Sequence, residues 1–290
     1  MAEQSVIVVP LDWSEQSLIA LEQAANVAET LNYSLHLVHV KEAGGLFTLA
    51  SQKAYQEELE KEINAKLEES AEEIRKERGL NVTHEVKTGK IYDQINHVAD
   101  EKEASFIIMG TNGSHGLKGK FIGSNALRVV KQSKVPVISI KGKHHSKGCK
   151  TIILPLDLTK ETREKVGKAI DFAKSFNSEI IIVSVLETKD EYILNHLRRQ
   201  MIQVHRYIED HGVKASSDLI EKDGTVAETI LDFAKKSNAD LLMIMTQQEN
   251  DFTDLFIGSQ AQAIINHSEV PVLSIIPRET DVNLSSVLHY

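Results

Sequence analysis

The chain has 290 residues, 41% of them hydrophobic and 26% charged, with 15 glycines and 5 prolines. That composition gives two globular domains of ordinary size and excludes collagen-like, mucin-like and largely disordered classes. A formal net charge of −9 argues against a basic face that tracks a nucleic-acid backbone, and a single cysteine, Cys149, excludes an internal disulfide framework.

From the N-terminus, no basic signal-peptide start is visible, only four apolar residues (Val6 to Val9) precede Pro10, and no apolar run approaches the ~20 residues of a membrane span. The expectation is a cytoplasmic protein that meets neither membrane nor nucleic acid. Short β-branched runs then alternate with helical periodicity. The runs are Val6 to Val9, Leu35 to Val40, Thr83 to Val86, Phe106 to Met109 and Val135 to Ile140. Between them, Leu18, Leu21, Ala25, Ala28 and Leu31 recur at spacings of three and four, as do Leu59, Ile63, Leu67, Ala71 and Ile74. The strands read as continuously apolar, which predicts a parallel sheet covered by helices on both faces. Glutamates from Glu57 to Glu73 are interspersed with bases opposite that second stripe, the pattern of a solvated helix face.

The series then repeats. Residues 5–12 (SVIVVPLD) return as 150–157 (KTIILPLD), and 36–40 (HLVHV) as 181–185 (IIVSV), both at a shift of 145. Beyond Gly89, which matches Gly224, the shift is 135: 121–124 (FIGS) return as 256–259, and 134–138 (KVPVI) as 269–273 (EVPVL). The second copy predicts strands at Thr151 to Leu154, Ile180 to Val185, Lys214 to Ile220, Leu241 to Met245 and Val270 to Ile275. A fixed internal period of this kind decides the architecture. Residues 1–142 form one domain and 149–278 another, with a polar linker over 143–148 and a tail over 279–290. Each is a Rossmann-like, doubly wound α/β unit with a five-stranded parallel sheet. His144 and His145 in the linker sit near Cys149, but a linker lacks the fixed geometry that a metal site needs.

In open α/β sheets, ligands bind at the carboxyl ends of the strands where strand order reverses. Three pieces of the first copy end there: Asp12 after the first strand, Val40 at the end of the second, and a glycine-rich run after Met109. Glycines let a backbone approach an anion, a helix N-terminus adds partial positive charge, and Lys118 and Lys120 lie within the run. On composition alone, a phosphate loop and a flexible surface loop are equal readings. Asp12 likewise reads either as a ligand contact or as an acid capping the first helix.

The spacing Gly110-x2-Gly113-x9-Gly123-Ser124 resembles the G-2x-G-9x-G-[S/T] pattern of ATP-binding universal stress proteins. The likeness extends over both copies, so the chain is similar to a tandem member of that family. The resemblance implies ATP, ADP or AMP in the first copy, with phosphate and ribose on Gly110, Gly113, Gly123 and Ser124. It also implies Asp12 near ribose and base, Val40 lining the base pocket, Pro10, Leu11 and Met109 completing the wall, and Mg²⁺ with the phosphates. The second copy departs from the pattern. Met245 and Gln248 replace the first two glycines, and the loop carries Glu249, Asp251 and Asp254 and no base, in place of two lysines and several glycines.

The chain carries no P-loop, G-x-G-x-x-G or G-x-S-x-G motif. The leading expectation is a stress-response regulator that binds ATP in its first half, is read by an unidentified signalling protein, and joins its two copies through their last strands. The alternatives are a slow ATP hydrolase using Asp12 or His115, and a nucleotide-independent scaffold or small-ligand binder using the second half. Association into a homodimer is compatible with each.

Overall fold

The computed structural model describes residues 4–42, 51–111, 123–142, 148–156, 162–246 and 258–275, with side chains left aside for 51–56 and 162–164. Gly113, His115, Lys118 and Lys120, most of the linker, Asp157, the loop holding Glu249, Asp251 and Asp254, and the C-terminal tail lie outside these residues.

The first half runs β1 (Val6–Pro10), α1 (Glu15–Leu31), β2 (Ser34–Lys41), α2 (Ser51–Arg78), β3 (Val82–Thr88), α3 (Ile91–Glu101), β4 (Phe106–Gly110), α4 (Ser124–Gln132) and β5 (Val137–Ile140). The second repeats it as β6 (Thr151–Pro155), α5 (Thr162–Phe176), β7 (Glu179–Leu186), α6 (Glu191–Asp210), β8 (Ala215–Glu221), α7 (Val226–Lys236), β9 (Leu241–Met245), α8 (Ser259–His267) and β10 (Val272–Ile275). Pro136 supplies no amide to a ladder, and β5 starts just after it rather than at Val135. The length lost from the second copy is largely helical, since α2 has 28 residues and α6 has 20.

All ten strands form one sheet, in the order β3-β2-β1-β4-β5-β10-β9-β6-β7-β8. Every neighbouring pair is parallel except β5 and β10, which meet antiparallel with Ile138 opposite Leu273. The last strands of the two copies thus pair within one chain, and the two edges that this leaves are β3 and β8. Those edges correct the expectation of continuously covered strands, because β3 and β8 are mostly half-buried or exposed along their length. Charged and polar residues on an edge discourage pairing with another chain.

Alternation along each inner strand sends side chains to two cores. Ile7 and Val9 join the layer of α1, α2, α5 and α6, while Val8 joins that of α3, α4, α7 and α8. Each core is continuous across the β5–β10 seam, and Phe106 meets Phe172 edge-on at 6.1 Å between the halves. The helical stripes are narrower than their spacing suggested. Leu67, Ala71 and Ile74 are buried, but Leu59 is exposed, as is Leu18 on α1. On the outer face of α2, Glu60, Glu68 and Glu72 pair with Lys41, Arg75 and Lys76, as a solvated face would.

Candidate functional site

The strand order reverses between β1 and β4, whose crossovers leave in opposite directions along the sheet. Pro10 ends β1, Val40 lies near the end of β2, and Met109 and Gly110 end β4. These predicted residues therefore come to one corner, on three adjacent strands. Leu11, 2% exposed, continues the β1–β2 ladder by donating its amide to Val38 O at 2.9 Å.

Asp12 opens the turn into α1. Its Oδ1 accepts from Ser14 N at 3.0 Å and Ser14 Oγ at 2.6 Å. Ser14 is the N-cap, its hydroxyl accepting from Ser17 N. The acid thus positions the cap instead of serving as one, and its negative charge sits favourably at the helix N-terminus. Between them Trp13 adopts a left-handed φ of 57°, a conformation that bulky residues hold only where their surroundings fix it. Its indole lies 5.0 Å from the His39 ring, with Lys66 Nζ 4.5 Å from its centroid and Nε1 3.4 Å from Ser70 Oγ. His39 Nδ1 in turn meets Leu11 O at 2.7 Å. This chain of contacts ties the β1–α1 turn to α2.

Gly110 is required by packing whatever binds nearby. A Cβ there would come within 2.7 Å of the backbone carbonyl of Gln16, in the first turn of α1. Gly123 is the N-cap of α4, which opens at Ser124 as the motif predicted, and it offers no side-chain oxygen to the first-turn amides. Its own amide donates to Thr111 O at 2.7 Å, and Thr111 N donates to Ile140 O at 3.0 Å. These bonds close the base of the glycine loop. The second half has the same closure: Gly258 N to Thr246 O at 3.4 Å, and Thr246 N to Ile275 O at 3.1 Å. Thr111 and Thr246 escaped the motif reading, although their equal shift of 135 was the available signal.

Among the described residues no cluster of three or more His, Cys, Asp or Glu has metal-binding geometry. Cys149 is buried, and burial pushes its thiol up to about 12, so it is a packing residue.

The sequence profile of the universal stress protein family matches residues 5–141 and again 148–275. The chain belongs to the universal stress protein family. It is similar to Universal stress protein MJ0531 of Methanocaldococcus jannaschii, 30% identical over 137 residues, which covers 47% of this chain and 81% of that one. Universal stress protein MJ0577 of the same organism is 32% identical over 155 residues, covering 48% and 95%. A universal stress protein structure from Archaeoglobus fulgidus aligns over 94% of this chain and 98% of its own with a TM-score of 0.75 at 22% identity, which supports the tandem fold. The matched spans make this a tandem member of the family. No helix among the described residues is long and apolar enough to cross a membrane.

Proposed function

We propose that this universal stress protein is a regulatory nucleotide-binding module that holds ATP in its first half and not in its second. The observation that carries the reading is one corner of the sheet. There Pro10 and Gly110 end their strands, Val40 lies one residue from the end of the strand beside β1, and a helix opening at Gly123-Ser124 completes the family spacing with Gly113. Pro10, Leu11, Val40 and Met109 would wall the base, Asp12 would face base and ribose, and Gly110, Gly113, Gly123 and Ser124 would take ribose and phosphates. Backbone amides at a glycine-rich helix start suit a polyanion. Mg²⁺, which needs few protein donors beside phosphate oxygens and water, would accompany the phosphates.

The second half argues against a second ATP. Met245 replaces Gly110, Gln248 replaces Gly113, and three carboxylates occupy the loop. Like charge at close range disfavours a triphosphate. Slow hydrolysis is the alternative, with Asp12, whose Oδ1 accepts from Ser14 N and Ser14 Oγ, and His115 as its candidate bases. The domains proposed are 1–142 and 149–278, with occupancy of the first read by a partner through the order of its loop.

Calorimetric titration of the full chain with Mg-ATP tests this reading. One site per chain, lost in Gly113→Asp, is expected. Two sites would overturn the reading of the second half, and no site would overturn the whole proposal.

A further inference from the structure

The second half has kept the corner and changed its chemistry. A cleft of about 390 Å³ opens at the carboxyl ends of β6, β7 and β9, within the ~300–1,000 Å³ of small-molecule pockets. Its walls are mostly apolar, with Val183, Val185 and Ile244 from the strands, Ile230 from α7, and Ile193 with Leu197 from successive turns of α6.

Three residues of this lining differ from their counterparts in the first half. Ser184 stands at the position of His39, so the volume that an imidazole takes beside Leu11 O is given up, and a small hydroxyl side chain lines the wall instead. Met245 stands at the position of Gly110, where the first half permits no Cβ because α1 is too near. Lys165 stands at the position of Ala20, which is fully buried on α1, and reaches back to donate to Pro155 O.

The charges on the described lining are one base, Lys165, and one acid, Glu187, so they balance. Glu187 is further paired with Lys222. Such a lining gives a polyanion no net attraction, whereas its apolar walls gain from covering an uncharged surface.

We infer that this cleft is a binding site for an uncharged, largely apolar small molecule with one hydrogen-bonding group, which meets Ser184. Ile193 is 44% exposed, a large apolar side chain at the cleft mouth that such a ligand would cover. The molecule therefore has two unlike ligand sites.

The test is fluorescence titration of the full chain with N-phenyl-1-naphthylamine, a neutral diarylamine of three aromatic rings that brightens in apolar surroundings. Saturable binding of one dye per chain is expected, with Mg-ATP unable to displace it. Ser184→His restores the first half's residue, and Ile193→Glu puts a charge at the mouth. Each is expected to weaken binding by about tenfold or more, the scale on which a hydrophobic pocket discriminates. Ile193 is exposed enough for its substitution to leave folding intact, and thermal melts verify both variants. Ile202→Glu, on exposed α6 surface outside the lining, is expected to leave binding unchanged. Absence of saturable binding, indifference to both cleft variants, loss of binding in Ile202→Glu, or displacement by Mg-ATP would each overturn the inference. Ser184 and Ile193 both lie in the second half, so the response to their substitution stands apart from the ATP titration.

Discussion

At the end of β4 stands Gly110, and at the matching end of β9 stands Met245. Around Gly110 the first turn of α1 closes against the sheet and leaves no room for a Cβ, while Met245 lines a cleft. One missing side chain thus lets a helix pack directly on the strand end. The two halves retain the same strand order and the same threonine-to-glycine closure of the loop base, so the scaffold has been kept while its pockets diverged.

The largest effect expected from exchanging features between the halves is at that glycine. Gly110→Ala places a Cβ against the Gln16 carbonyl and forces α1 outward, at a cost of about 1–3 kcal/mol by urea denaturation. Met245→Leu, which conserves volume at the matching place, should cost less than about 1.5 kcal/mol. Equal costs would break the comparison.

A smaller contrast lies at the third helix of each half. α7 begins with a capping box in which Thr225 accepts from Glu228 N and Glu228 accepts from Thr225 N, whereas Lys90 caps α3 without a side-chain bond. Thr225→Ala should lower stability by about 1 kcal/mol. Thermal melts in which Thr225→Ala and Lys90→Ala lose equally would show that the box contributes nothing.

The smallest effect depends on pH. His36, 2% exposed, contacts Thr83 Oγ1 at 2.8 Å and Glu85 Oε1 at 2.9 Å, where the second half has Ile181. Desolvation holds its pKa below 6.5 despite the hydrogen bond to Glu85. The unfolded chain therefore binds the proton first as pH falls, so the stability due to neutral His36 is present above about pH 6.5 and is lost below it. Urea midpoints between pH 7.5 and 5.5 should fall less for His36→Gln than for the native chain. Parallel slopes would remove His36 from the account.

The repeat made most of this fold legible before any coordinates. It gave ten strands in their places and a helix opening at Ser124, because glycine spacing and β-branched runs are local signals. The sheet edges were missed although β3 (VTHEVKT) and β8 (ASSDLIE) are richer in polar and charged residues than the inner strands, because having a single neighbour is a property of the assembled sheet. Leu18 and Leu59 fit a helical stripe yet lie beyond the width that the sheet covers. At the candidate site the converging strand ends were readable from topology. The roles of Gln16, His39 and Ser184 were not, since each depends on how closely one helix or turn approaches a particular strand.

The antiparallel seam has a directional consequence. Because β5 and β10 run oppositely while every other neighbouring pair is parallel, the two corners open toward opposite ends of the sheet. A molecule in one port cannot touch a molecule in the other, and a partner that grips one loop faces away from its counterpart. Between the ports lie the ladder where Ile138 meets Leu273 and the side-chain layers that continue across it, such as the contact of Phe106 with Phe172.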